Sequence, residues 1–176
     1  AAASRNFLPV SISAGIQRDL PHGLIASLAV QYVQRAPTAL ELYSKGPHEA
    51  TGTFEIGSTT LQKERALSLE AGIRKATGRL RFNATAFHTR YAGYIFKRFT
   101  GASCGEDFDS CGVEDELRQV VFGQKNATFT GAELYGQYDI APLFTGMFGV
   151  EGQFDVVRAR FADGTNVPRI PPVRLG

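Results

Sequence analysis

No apolar run in this chain approaches the ~20 residues that a transmembrane helix requires. The longest, Gly23 to Val30, falls far short, so a membrane-spanning helix is excluded. Charge of one sign is also scarce: 19 Lys and Arg stand against 17 Asp and Glu, a net charge of +2. The basic residues come singly or in short pairs, which gives no patch for a nucleic-acid partner, and none is expected. The opening Ala1-Ala2-Ala3-Ser4-Arg5 lacks the charged region and apolar core of a signal peptide. No phosphate-binding glycine loop, nucleophile elbow or catalytic triad pattern is present, so the expectation is a protein that is not an enzyme and holds no intrinsic cofactor. Cysteine is nearly absent. The only two, Cys104 and Cys111, flank a short polar segment. An even pair of this kind reads as a disulfide in an oxidising compartment, or else as reduced or metal-bound thiols, although a zinc site wants two further ligands at matching spacing.

What the chain does have is alternation. With 43% hydrophobic, 20% charged and 11% aromatic residues it has the composition of an ordered protein. Apolar and polar residues exchange every second position in about six segments: 7–17, 24–35, 66–75, 79–91, 127–139 and 147–158. In the clearest, Leu67, Leu69, Ala71 and Ile73 alternate with Ser68, Glu70, Gly72 and Arg74. That period of two is the mark of a β-strand with two unlike faces, and no helical stripe is sustained anywhere. The reading is all-β.

The connections alternate as well. Those around Asp19 to His22, Ala76 to Gly78 and Ala141 to Phe144 are tight, whereas those over about 36–65 and 92–118 are long. Outer-membrane barrels have short periplasmic turns, long extracellular loops and alternating strands of about ten residues. The expected fold class is therefore an antiparallel transmembrane β-barrel segment, six to seven strands of a larger barrel. Leu, Val, Phe and Ala would face lipid, the polar set a wet lumen, and Tyr32, Tyr91, Tyr94 and Phe96 an aromatic girdle. In a soluble sandwich the same apolar set would face a core; a small closed barrel with a structural or adhesion role would need about two more strands.

Within the first long connection, Gln34-Arg35-Ala36-Pro37, then Glu41-Leu42-Tyr43, then Leu61-Gln62-Lys63-Glu64 ahead of Glu70-Ala71-Gly72, resembles the barrel half of the TonB-dependent receptor family. Gly46-Pro47-His48-Glu49-Ala50-Thr51 is similar to its ZnuD-like zinc-receptor branch. Asn126 to Leu134 resembles a further family strand, and Ile170 to Gly176 the start of another. The resemblance covers nearly the whole chain. It implies that residues 1–176 are part of a receptor β-barrel domain without its plug, since about six strands are far from the ~22 of such a transporter. It also implies a bacterial outer-membrane location, the lipid of that membrane as surroundings, and the inner-membrane TonB complex as energising partner. The transported ligand would be zinc, haem or a ferric chelate.

His48 beside Glu49 suits a borderline cation such as zinc. In haem receptors of the superfamily a loop histidine at the comparable interval is an axial ligand, but the box after it is degraded here to Ser58-Thr59-Thr60-Leu61. The alternative is a loop histidine that packs or caps locally. Asp107 and Asp109 lie in an acidic run with Glu106, Glu114, Asp115 and Glu116 that would draw cations to the pore mouth or serve as a solvated loop. His88 is expected at the membrane interface and His22 in a turn. The candidate set is His48, Glu49, Asp107 and Asp109 for a metal, and Cys104–Cys111 for a disulfide.

Overall fold

The computed structural model describes residues 5–105, 111–112 and 117–176. Six long strands dominate: β1 (Ser11–Leu20), β2 (Leu24–Arg35), β5 (Glu64–Lys75), β6 (Leu80–Cys104), β8 (Leu117–Leu143) and β9 (Gly146–Phe161). Short strands β3 (Lys45–His48), β4 (Thr53–Ile56), β7 (Cys111–Gly112) and β10 (Arg174–Leu175), with helix α1 (Ala39–Tyr43), complete it. The residues form two compact units. A loop unit holds Ala1–Val10, Gln34–Arg65 and Ala92–Asn126, and a strand unit holds Ser11–Val33, Ala66–Tyr91 and Ala127–Gly176.

The strand unit is an antiparallel meander in the order β1-β2-β5-β6-β8, continued by β9 and β10. Its turns are tight where the sequence is turn-like. Pro21–Gly23 joins β1 to β2, with His22 and Gly23 at φ of 65° and 73°. Phe144 and Thr145 alone separate the paired residues Leu143 and Gly146 of β8 and β9. At Gly131 a Cβ would come within 2.5 Å of the Phe87 ring and 2.6 Å of the Val156 carbonyl oxygen, so only glycine fits that crossing.

The two faces of this meander are unlike. Ile12, Ile16, Leu28, Leu69, Leu134 and Val150 all lie on one face and are 45–69% exposed. On the other, Gln17, Ser27, Glu70, Arg74, Asn83 and Gln137 are among the side chains lining a cavity of about 640 Å³. The Arg81 guanidinium there donates to both Asp139 carboxylate oxygens at 2.6 and 2.7 Å, and Arg174 pairs with Asp155. A soluble sandwich requires the apolar set to be buried. Among the described residues of this unit the buried hydrophobics are only Ala127, Ala159, Phe161 and Val167. A sheet with one exposed apolar face and one polar, cavity-bearing face is the wall of a transmembrane barrel.

Several boundaries differ from those expected. β1 begins at Ser11 rather than Phe7, because Phe7 packs against the core of the loop unit with the Arg5 guanidinium 4.9 Å above its ring. β6 does not stop near Tyr91 but runs to Cys104, and β8 starts at Leu117. Much of the second long connection is therefore strand. Tyr91 does not join a girdle on the apolar face: it comes after Phe87 and Thr89, which line a cavity with Gln31 and Glu70, and it packs edge-on against Phe129 with centroids 5.1 Å apart.

Leu134→Arg, in the middle of the apolar face, should destabilise the bilayer-inserted full-length protein by about 2–4 kcal/mol, whereas Gln137→Arg on the polar face should cost well under ~1 kcal/mol. Urea unfolding in lipid bilayers measures both. Equal effects would contradict the assignment of the faces.

Candidate functional site

The connection between β2 and β5 is a folded element of the loop unit, and its order starts at Arg35. Proline disfavours helix at the residue before it, so Ala36-Pro37 separates strand β2 from helix α1. Thr38 then caps α1: its hydroxyl accepts from the Glu41 amide at 3.2 Å while the Glu41 carboxylate accepts from the Thr38 amide at 2.8 Å. The same carboxylate takes the Arg35 guanidinium at 2.8 and 3.1 Å. Arg35 reaches Glu64 as well, at 3.3 and 3.4 Å, and Glu64 also accepts the Ile95 amide at 2.7 Å. One guanidinium thus ties the two ends of the connection together.

Around this clamp the apolar residues of the connection find a core. Leu42 and Leu61 bury against Ile95 and Phe122. The chain returns past α1 so closely that a Cβ on Gly57 would lie 2.6 Å from the Leu42 carbonyl carbon. Its amide donates to the Ser44 carbonyl at 2.7 Å, and the Ser58 amide to that of Glu41 at 2.8 Å. Burial alone would push the Glu41 carboxyl up; the hydrogen bonds from Arg35 and the Thr38 amide, with the charge of Arg35, outweigh it and hold the carboxyl below its usual range.

Beyond the clamp, β3 and β4 form a hairpin with Lys45 opposite Ile56 and His48 opposite Thr53, and β4 continues as a parallel partner of β8. The turn, Glu49–Thr51, ends at Gly52 with φ 56°. His48 stands where the hairpin meets this turn. Its Nδ1 lies 2.8 Å from the Thr51 hydroxyl and 3.6 Å from the Glu55 carboxylate. Glu55 is 3% exposed and receives the Lys97 ammonium at 2.5 Å, and that ammonium also sits 5.2 Å from the centre of the Phe122 ring.

The carboxylate that meets His48 is therefore Glu55, not its neighbour Glu49, which is exposed in the turn. Glu55 and Lys97 carry no sequence signal for this role, since their contact spans 42 positions. Asp107 and Asp109 lie outside the described residues, as do Glu106, Glu114, Asp115 and Glu116. Among the described residues no group of three or more His, Cys, Asp and Glu is placed to hold a metal ion. Cys104 and Cys111 are opposite each other in β6 and β7 and are disulfide-bonded, which decides between the disulfide and the free or metal-bound thiols. His88 shares a hydrogen bond with Thr130 at 2.9 Å.

Comparison with known families matches residues 10–176 to the TonB dependent receptor-like β-barrel. The chain belongs to that family. Among solved structures, it is similar to a chain described as copper transporter OprC, with a TM-score of 0.68 over 93% of this chain at 16% identity. At that identity the likeness shows the shared fold. The receptor-barrel chain spans 22% of the length of that transporter.

In this receptor barrel the lowered pKa of the Glu41 carboxyl fixes a pH dependence. Its folded pKa lies below the unfolded value of ~4.3, so its contribution is complete above that value and is lost as pH falls through the lower, folded one. Glu41→Gln should cost about 1 kcal/mol at neutral pH, a figure held down by the partial exposure of Arg35, with the difference from wild type fading in acid. Urea unfolding at neutral pH and at pH ~3 checks this. Arg35→Ala, which leaves Glu41 and Glu64 without their cation, should cost about 1–3 kcal/mol.

Proposed function

We propose that the protein carrying this chain is an outer-membrane importer, energised through TonB, that takes up a metal ion or metal chelate. The observation that carries this reading is the pair of unlike faces on strands of membrane-spanning length, found in a member of the receptor-barrel family. The apolar face supports residence in lipid. The polar face, with its paired Arg81–Asp139 and its cavity, supports a wet lumen through which a hydrophilic cargo passes.

The preferred cargo is zinc. Gly46-Pro47-His48 carries the likeness to the zinc-receptor branch, and the copper transporter of similar fold supports a metal ion as the class of cargo. The setting of His48 adds a physical argument. A metal-ligating histidine is oriented by a hydrogen bond at its other ring nitrogen, usually to an oxygen acceptor. At His48, Nδ1 is held by Thr51 beside Glu55, which leaves Nε2 as the nitrogen for a metal, on a side chain that is 41% exposed. Glu49 in the adjoining turn is the described oxygen donor of the candidate set, whose further members Asp107 and Asp109 lie outside the described residues. The His48–Glu55–Lys97 arrangement supplies one nitrogen ligand on an otherwise neutralised base.

The test is calorimetric titration of zinc and copper(II) into the intact receptor refolded in detergent, with haem in parallel. Zinc binding should weaken at least tenfold in His48→Ala. Binding unchanged by the substitution would return His48 to a structural role in the hairpin. Haem binding without zinc binding would make the cargo a chelate.

A further inference from the structure

On the apolar face of the strand unit, we infer a binding patch for phosphorylated lipid headgroups, formed by Arg90, Arg158 and Arg160. The placement derives from the pairing of β8 with β9. Leu134 is opposite Phe154, Ala132 opposite Val156, Thr130 opposite Arg158 and Thr128 opposite Arg160. Directly opposed antiparallel residues point to the same side, so both arginines continue the row of exposed Leu134 and Val150. The hydrogen bond from the His88 ring to Thr130 brings β6 into the same row, and Arg90, two residues further along β6, shares that side. All three arginines are exposed. With neighbouring strands ~4.8 Å apart and alternate residues ~7 Å apart, the three backbone positions fall within a patch roughly 10 Å by 7 Å.

The patch carries uncompensated charge on the apolar face. On the polar face Arg81 is matched by Asp139 and Arg174 by Asp155, and Arg74 borders the cavity that Glu70 also lines. Glu70, Glu133, Asp139, Glu151 and Asp155 all belong to that opposite parity. None of Arg90, Arg158 and Arg160 has an ion pair among the described residues, and no even-numbered position from Leu80 to Arg90, or from Phe148 to Arg160, is acidic. Their height is also informative. From Phe148 to Arg158 the strand rises about 33 Å, which at a tilt of ~40° is about 25 Å, the height of the apolar band of an outer-membrane barrel. The patch therefore sits at the upper margin of the band, where guanidinium groups can snorkel to the headgroups. There, arginine forks match phosphate oxygens two at a time. The occupant is the phosphorylated lipid of the outer leaflet rather than free phosphate, because the patch is continuous with the apolar surface that takes the acyl chains.

This inference rests on the outer-membrane reading, and the experiment separates the two. The full-length receptor is reconstituted in neutral phosphatidylcholine nanodiscs and titrated with diphosphorylated glucosamine lipid, and bound lipid is counted by native mass spectrometry. Wild type is compared with Arg90→Gln/Arg158→Gln/Arg160→Gln, and with Arg81→Gln on the opposite face as a control. The triple variant should bind at least tenfold more weakly, with Arg81→Gln unchanged and millimolar inorganic phosphate without effect. Equal binding by a triple variant that still inserts and keeps its heat-resistant gel mobility would overturn the patch alone. Competition by inorganic phosphate would overturn the lipid as its occupant. Failure of the wild type to insert in a bilayer would overturn the membrane reading and the patch with it.

Discussion

The Arg35 guanidinium is the constraint on which the loop unit depends. It is held at one end by Glu41, which caps α1, and at the other by Glu64, which starts β5 and accepts the Ile95 amide of β6. A connection of about thirty residues would close at a modest entropic cost that grows only slowly with length. Disorder within it is the larger cost, since each ordered residue gives up ~1–2 kcal/mol of backbone freedom. The clamp offsets this by fixing both ends where Leu42 and Leu61 can bury together. Glu41 serves the cap, the ion pair and, through its carbonyl, the Ser58 amide. This explains physically why Arg-Ala-Pro, Glu-Leu-Tyr and Leu-x-x-Glu occur together: they are the parts of a single clamp.

The same logic separates the base of the connection from its outer hairpin. Arg35, Glu41, Gly57, Leu61 and Glu64 are committed to the base, while the β3–β4 hairpin is carried beyond it and fastened to β8 by the parallel pairing of Thr53–Ile56. Lys97 on β6 supplies the buried Glu55 carboxylate with a charged hydrogen-bond partner. His48 is thus presented from an ordered hairpin. A loop ordered in this way loses little freedom on meeting any ligand.

The strand unit was legible in the sequence because its signal is local. Each long strand writes its two faces as a period of two, so Leu67, Leu69 and Ile73 announce their common side without reference to any partner. Alternation could not say whether that side meets lipid or a core; the exposure of Leu28, Leu69 and Val150 could. The loop unit was far less legible. The extension of β6 beyond Tyr91 passes through Gly93, at φ 72°, where the Gln124 amide donates to the carbonyls of Gln62 and Gly93. Such a bridge joins residues 31 and 62 positions apart, and no periodicity records it. Glu55 was missed for the same reason, whereas Glu49 was favoured only because it adjoins His48 in sequence.

The two faces of one strand set also divide the electrostatic work. On the polar face charges border cavities, and two pairs are balanced across strands, Arg81 by Asp139 and Arg174 by Asp155. A charge on the apolar face has no such option, because a carboxylate placed beside it would itself need removal from water. The residues that can stand there are those with long apolar stems and a permanently charged head, and they can do so only near the margin of the band. Thr128 and Thr130 between the arginines are short and polar, which leaves room above them for a headgroup instead of filling the row with a bulky apolar side chain. The change from Val156 to Arg158 along β9 therefore marks the level at which hydrocarbon gives way to phosphate.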